Sequence, residues 1–110
     1  DQLPRAIAME VLLTGDRFDA ATAERWGFVN KVVPLEQLQE AALTYARRIS
    51  ANAPLALQAS KELALRSREM SLAEGFRMEL FVNRMLQATG DFKEGSAAFA
   101  EKRNARFTST

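Results

Sequence analysis

Helix-forming segments separated by short breaks fill nearly the whole of this sequence. The clearest is 35–49, in which apolar side chains recur every three or four residues and therefore share one stripe of a helix. That stripe consists of Leu35, Leu38, Ala42, Tyr45 and Ile49. A chain of 110 residues with this pattern is long enough for one small, mainly α domain with a single core.

Residues typical of helix ends divide the chain into a series of predicted helices. These span residues 5–13, 20–26, 35–49, 54–68, 72–88 and 92–103. Asp19 and Ser71 are predicted N-caps, Ser71 with the spacing of a capping box, and Pro54 suits a first helical turn. Gly15 and Gly27 follow the first two helices, where a left-handed residue readily ends a helix.

The last predicted helix and the residues after it complete the chain. Asp91 and Glu94 have the spacing of a second N-terminal cap, so this helix is predicted to begin at Phe92. Residues 106–110 carry no further helix signal and are expected to be loose.

Residues 28–33 form the one stretch with the composition of a β-strand. They are rich in β-branched side chains and end at Pro34. A lone strand cannot satisfy its own backbone hydrogen bonds. The stretch therefore either pairs with a strand outside this chain or runs as an extended connector.

The predicted helix 72–88 carries apolar side chains on more than one face. One row consists of Leu72, Phe76 and Leu80, and a second row consists of Met78, Phe81, Val82 and Met85. Such a helix is expected to be buried on two sides, by this chain and by something else.

Composition excludes several kinds of chemistry within the chain. It contains no cysteine and no histidine, which excludes disulfides, Cys-ligated metals and any Ser-His or Cys-His relay. We therefore predict no metal site. The 15 Lys and Arg residues nearly balance the 14 Asp and Glu residues, so nothing predicts a nucleic-acid partner. No apolar run approaches the roughly 20 residues that span a bilayer, and we expect a cytoplasmic protein without a membrane partner.

Four short signatures, taken together and in order, resemble segments of the enoyl-CoA hydratase/isomerase (crotonase) family. They are L-P-R with A-M-E-V-L-L-T-G at 8–15, the stretch 19–34 ending in G-F-V-N-K-V-V-P, A-P at 53–54 with Lys61, and E-G at 94–95 with F-A-E-K-R at 99–103. The resemblance implies a mainly α chain that forms the C-terminal helical part of a crotonase (ClpP/crotonase-like α/β) fold. It also implies one short strand-like segment near 28–33.

The resemblance also implies an activity for the intact protein. In this family two backbone N–H groups stabilise the enolate-like charge of an acyl-CoA thioester, and carboxylates move protons or activate water. By resemblance these groups lie N-terminal to Leu3, so no catalytic residue is assigned here. The intact protein is expected to hydrate 2-enoyl-CoA to 3-hydroxyacyl-CoA in fatty-acid or related acyl-CoA metabolism. An enoyl-CoA isomerase or a carnitinyl-CoA dehydratase-like enzyme is the alternative within the family.

The chain itself is then expected to serve assembly and to cover the acyl-CoA site. Residues 1–34 correspond to the end of the crotonase core, and residues 35–110 to a helical oligomerisation and cap domain of a homotrimer or hexamer. No cofactor is expected, because the coenzyme A thioester is the substrate. The sequence does not begin with Met, and we expect it to be processed, trimmed or cut from something longer and to be inactive alone.

Lys102 is the one residue to which the resemblance gives a binding role. It matches a family lysine that approaches the phosphates or the adenine end of coenzyme A, in some cases from an adjacent subunit. An ammonium group is a suitable phosphate partner, although a solvated lysine beside Glu101 is the plain structural reading. Asn83 and Gln87 depart from the aromatic residues that many relatives carry nearby, and Phe81 could supply an aromatic ring instead.

A different class of function also fits the residues taken alone. The chain could be a stand-alone, non-catalytic helical interaction module, since it lacks His and Cys and its helix 72–88 is apolar on two sides. Such a module is expected to fold cooperatively by itself, whereas a fragment is expected to expose its docking faces and self-associate.

Overall fold

The structure, a computed structural model, describes residues 3–110 and is helical apart from short connecting segments. The α-helices are α1 (Arg5–Thr14), α2 (Ala20–Arg25), α3 (Leu38–Ser50), α4 (Pro54–Arg66), α5 (Leu72–Gln87) and α6 (Gly90–Ala100). Short 3-10 turns at Leu35–Gln37 and Ser67–Glu69 precede α3 and follow α4. The mainly α fold predicted from the sequence is confirmed.

Most helix ends lie where the sequence places them. The Asp19 carboxylate accepts the Thr22 N–H at 2.7 Å, and this backbone hydrogen bond lowers the pKa of the Asp19 carboxyl. Ser71 and Glu74 form the predicted capping box, in which the Ser71 N–H donates to the Glu74 carboxylate at 2.9 Å. Gly15 and Gly27 adopt left-handed φ values of 69° and 74°, which an L side chain would disfavour.

The strand-like segment 28–33 is a connector, and residues 3–110 contain no strand. Its backbone groups are bonded locally, because the Phe28 N–H donates to the Ala23 carbonyl at 2.9 Å and the Val32 N–H donates to the Glu24 carboxylate at 3.1 Å. These bonds to α2 replace part of the ladder that a strand would need. Within residues 3–110 the segment is a connector, and pairing with a strand outside this chain stays a prediction.

The start of α6 differs from the prediction. Thr89, not Asp91, is the N-cap, and its hydroxyl accepts the Phe92 N–H at 3.2 Å. The helix begins at Gly90 and ends at Ala100. Asp91 lies in the first turn, where only 3% of its surface is exposed. Because Asp91 does not cap the helix, its carboxylate can bind a partner outside α6.

The prediction that residues 106–110 are loose is wrong. The Asp91 carboxylate accepts the N–H of Thr108 at 2.7 Å and the N–H of Ser109 at 3.0 Å. In return the Asp91 N–H donates to the Thr110 carbonyl at 3.0 Å. The tail thus folds back along α6 and reaches the first turn of that helix.

The chain divides into two compact units, one ending at Ala42 and the other spanning Leu43–Thr110, which join within α3. In the first unit the Phe18 ring lies 5.0 Å from the Trp26 ring and 6.2 Å from the Phe28 ring. These three aromatic rings form a small apolar cluster. The functional division predicted after residue 34 stays a prediction.

The second unit packs α4 against α5 and α5 against α6. Its buried residues are Asp91 and Ala98, the latter 2% exposed. Many large apolar side chains remain open, among them Leu72 at 77% and Phe99 at 88% exposure. Among the described residues, the helices are too short or too polar to cross a membrane.

Candidate functional site

The end of α6 is a Schellman motif with a lysine where glycine is usual. Lys102 follows the helix with φ 54°, in the left-handed region. Its N–H donates to the Phe99 carbonyl at 3.3 Å, and the Arg103 N–H donates to the Ala98 carbonyl at 3.0 Å. These two bonds define the motif, whose left-handed position favours glycine because other residues are strained there by about 1–2 kcal/mol.

The Arg103 side chain binds two carboxylates at this corner. Its two terminal nitrogens donate to the two carboxylate oxygens of Glu94, at 2.6 Å and 3.0 Å. Its Nε donates to the carboxylate of Glu101. Since Glu101 and Arg103 flank Lys102 in the sequence, these bonds restrict the backbone at Lys102. The Lys102 side chain is exposed beyond them.

Glu94 is the common acceptor at this corner. Besides Arg103, its carboxylate accepts the Arg106 N–H at 2.7 Å. The Arg103 hydrogen bond, and then the Arg106 N–H, lower the pKa of the Glu94 carboxyl to about 2. The Glu94 and Glu101 carboxylates raise the pKa of the Arg103 guanidinium above its ordinary value. We call the bonds that Asp91 and Glu94 make to residues 103–109 the tail clamp.

The Glu94 half of the tail clamp is expected to hold at neutral pH and to release in acid. The pKa of this carboxyl is depressed from 4.5 to about 2, so its stabilising contribution is present above pH 4.5. It is lost as the pH falls through about 2, where the folded carboxylate takes up its proton. An NMR titration of the Glu94 side chain and the Arg106 amide measures this directly. Titration of Glu94 near pH 4.5 would contradict the assignment.

A cavity of about 540 Å³ lies within the second unit. Its walls are mainly apolar and come from α4, α5, α6 and the tail, with Leu55, Leu86 and Phe107 among them. Asn83 lines this cavity, and its side-chain oxygen accepts the Gln87 amide at 3.4 Å. Phe81 lies outside the cavity lining and is 65% exposed. The structure thus gives Asn83 and Gln87 a partner in each other.

The helices and their tail define the C-terminal helical part of a crotonase fold. The sequence profile of a family described as enoyl-CoA hydratase/isomerase matches residues 1–110. The crystal structure of an enoyl-CoA hydratase from Mycobacterium tuberculosis superposes with a TM-score of 0.93 at 38% identity, over 99% of this chain and 43% of that one. The chain belongs to the enoyl-CoA hydratase/isomerase family.

Two curated relatives illustrate the range of the match. The mitochondrial enoyl-CoA hydratase of Pongo abelii is 42% identical over 103 residues, covering 94% of this chain and 36% of the relative. The carnitinyl-CoA dehydratase of Proteus mirabilis is 40% identical over 108 residues, covering 94% of this chain and 41% of the relative. The chain therefore spans about two fifths of the length of these relatives.

The structure adds partners that the sequence signatures did not reveal. In the sequence, Glu94 has a cap-like spacing with Asp91 and belongs to the fourth signature, and Arg103 belongs to the same signature. The bidentate pair between Glu94 and Arg103 joins residues nine apart, one in the second turn of α6 and one beyond its end. The only sequence signal for it was the joint presence of both residues in the fourth signature. The contact predicted between Lys102 and coenzyme A stays a prediction.

Proposed function

We propose that the intact protein containing this chain is an enoyl-CoA hydratase that converts 2-enoyl-CoA to 3-hydroxyacyl-CoA. The observation that supports it is the family match over residues 1–110, together with relatives whose names specify hydration or dehydration of CoA esters. A role in fatty-acid or related acyl-CoA metabolism follows from that substrate class. The carnitinyl-CoA dehydratase relative supports the alternative branch of the family.

In this proposal the reacting groups lie in the part of the relatives that this chain does not cover. Two backbone N–H groups there donate hydrogen bonds to the thioester oxygen as its negative charge develops, and carboxyl groups activate the water and move the proton. The described chain contributes the surroundings instead. Its Lys102 ammonium, exposed at the end of α6, contacts a phosphate of coenzyme A in the same or an adjacent subunit.

We further propose that the helical faces serve assembly into a homotrimer or hexamer in the cytoplasm. The support is the set of large apolar side chains that this chain leaves open on α3, α5 and α6. These include Leu38 and Ile49, each more than half exposed, and Phe76 and Phe99. Apolar surface of this extent usually marks a contact with another chain or another part of the same protein.

A hydration assay on the intact protein tests the proposed reaction. Loss of the conjugated thioester absorbance of a 2-enoyl-CoA, with 3-hydroxyacyl-CoA as the product, is the expected result. Double-bond migration without hydration would identify an isomerase, and turnover confined to carnitinyl-CoA would identify the dehydratase alternative. The 110-residue chain by itself is expected to give no turnover in the same assay.

Replacing Lys102 by alanine in the intact enzyme is expected to raise the KM for a CoA ester about fivefold, the loss of roughly one exposed charge-assisted contact. The kcat is expected to change little, because the contact is remote from the thioester and is the same in the ground and transition states. Steady-state kinetics with a CoA ester measures both. An unchanged KM would remove Lys102 from the binding site.

A further inference from the structure

We propose that Glu94 is a positioning residue for Lys102: through Arg103 it fixes the left-handed backbone of Lys102 and so directs the ammonium toward the phosphate. This inference rests on the proposed function, in which Lys102 contacts coenzyme A. Glu94 itself lies early in α6 and is not assigned any contact with the ligand. Its effect on binding is therefore transmitted through the helix end.

The first step of the argument is the backbone at Lys102. A lysine at the left-handed position of a Schellman motif is strained relative to glycine, and strain of this kind persists only where the surroundings over-determine it. The direction in which the side chain leaves the helix depends on that φ value. A lysine that relaxed to an ordinary helical or extended backbone would point its ammonium elsewhere.

The second step is that bonds from outside the motif restrain this conformation. The two Schellman bonds fix the carbonyls of Phe99 and Ala98 but leave the side chains of the corner free. The Arg103 guanidinium adds a planar, bidentate contact to Glu94, at 2.6 Å and 3.0 Å. A bidentate pair constrains direction as well as distance.

The third step separates Glu94 from Glu101, which also contacts Arg103. The Glu101 side chain is 61% exposed and receives one bond from Arg103, whereas the Glu94 side chain is 25% exposed. Glu94 also accepts the Arg106 N–H at 2.7 Å, so it holds the chain on both sides of Asn104. Exposed ion pairs contribute little to stability, so the effect expected of Glu94 is on orientation.

The experiment compares two substrates on the intact enzyme. One is a full CoA ester, and the other is the matching pantetheine thioester, which lacks the adenosine phosphates. Glu94→Gln keeps the side-chain shape but removes the charge and the bidentate geometry. It is expected to raise the KM for the CoA ester about threefold, as expected for a weakened charge-assisted contact, with little change in kcat. With the pantetheine thioester it is expected to change neither constant.

A double variant tests whether Glu94 acts through Lys102. If it does, adding Glu94→Gln to Lys102→Ala produces no further rise in KM, because the group being positioned is already gone. Lys102→Arg keeps a cation, so it is expected to retain most of the affinity for the CoA ester while Glu94 is present. Adding Glu94→Gln to Lys102→Arg is expected to lose that affinity. Glu62→Gln, which breaks the exposed pair between Glu62 and Arg66 on α4, is the matched control and is expected to behave as the parent enzyme.

Three results would overturn the positioning role and leave the proposed function standing. Equal losses with both substrates would make Glu94 a general structural residue. If the double variant raised the KM by the product of the two single effects, Glu94 would act independently of Lys102. If Glu94→Gln left the KM unchanged while Lys102→Ala still raised it, the phosphate contact of Lys102 would stand and Glu94 would have no part in it. A different case arises if Lys102→Ala leaves the KM for the CoA ester unchanged. The proposed contact with coenzyme A then fails, and the positioning role fails with it.

Discussion

Replacing Asp91 by alanine is expected to release Thr108 and Ser109 from α6 and to lower the free energy of unfolding by about 3 kcal/mol, in line with losing charge-assisted hydrogen bonds at a buried acceptor. Asp91 is 3% exposed and accepts the N–H groups of Thr108 and Ser109. Alanine leaves those two donors without their acceptor. The first turn then keeps only the bond from the backbone N–H of residue 91 to the Thr110 carbonyl.

Hydrogen exchange of the Thr108 and Ser109 amides, together with urea unfolding of the intact protein, measures the two halves of this expectation. Both amides are expected to lose protection in Asp91→Ala, and the unfolding midpoint is expected to fall. Asp91→Asn keeps one carbonyl oxygen and should lie between the parent and alanine. Asp16→Ala removes an exposed aspartate in the other unit and serves as the control. Unchanged protection of both amides in Asp91→Ala would contradict the tail clamp.

The isolated 110-residue chain is expected to self-associate at micromolar concentration, because α5 alone exposes two rows of large apolar side chains. Leu72, Phe76 and Leu80 are 77%, 57% and 62% exposed, and Phe81 and Met85 are 65% and 59% exposed. Monomeric proteins rarely leave a contiguous apolar patch of more than a few hundred Å² open to water. Sedimentation velocity of the purified chain measures the association.

Changing one row should separate its contribution from a general effect of mutation. The triple variant Leu72→Gln, Phe76→Gln and Leu80→Gln is expected to shift the distribution toward monomer. Arg77→Gln with Arg84→Gln, on polar positions of the same helix, is expected to leave it unchanged. A parent chain that is monomeric and unfolds cooperatively would instead favour the stand-alone interaction module.

Local chemistry explains why most helix ends could be predicted. A cap needs partners only two or three residues away, so Asp19 with Thr22 and Ser71 with Glu74 can be recognised from spacing alone. The left-handed glycines Gly15 and Gly27 are equally local, since only their own backbone conformation matters. The predicted extents of these helices agree with the structure to within a few residues.

The features that the sequence could not predict depend on partners far along the chain. Asp91 had the spacing of a cap, yet its carboxylate bonds residues 17 and 18 positions later, while Thr89 caps the helix. The β-branched residues of 28–33 favoured a strand, but a strand needs a neighbour, and the nearby groups of α2 bond this segment instead. For the candidate site, the resemblance led to Lys102, but its left-handed backbone and the Glu94–Arg103 pair appear only in three dimensions.

Under the proposed function, the lysine at the end of α6 creates a conflict between thermostability and ligand affinity. A procedure that ranks substitutions by folding free energy would choose Lys102→Gly among the first, because glycine adopts a φ of 54° without strain. The same substitution deletes the only ammonium at this corner that the proposed function uses. Stabilising this protein by consensus or by computed energies should therefore leave position 102 fixed, and a glycine found there in a relative would indicate a different way of holding the ligand.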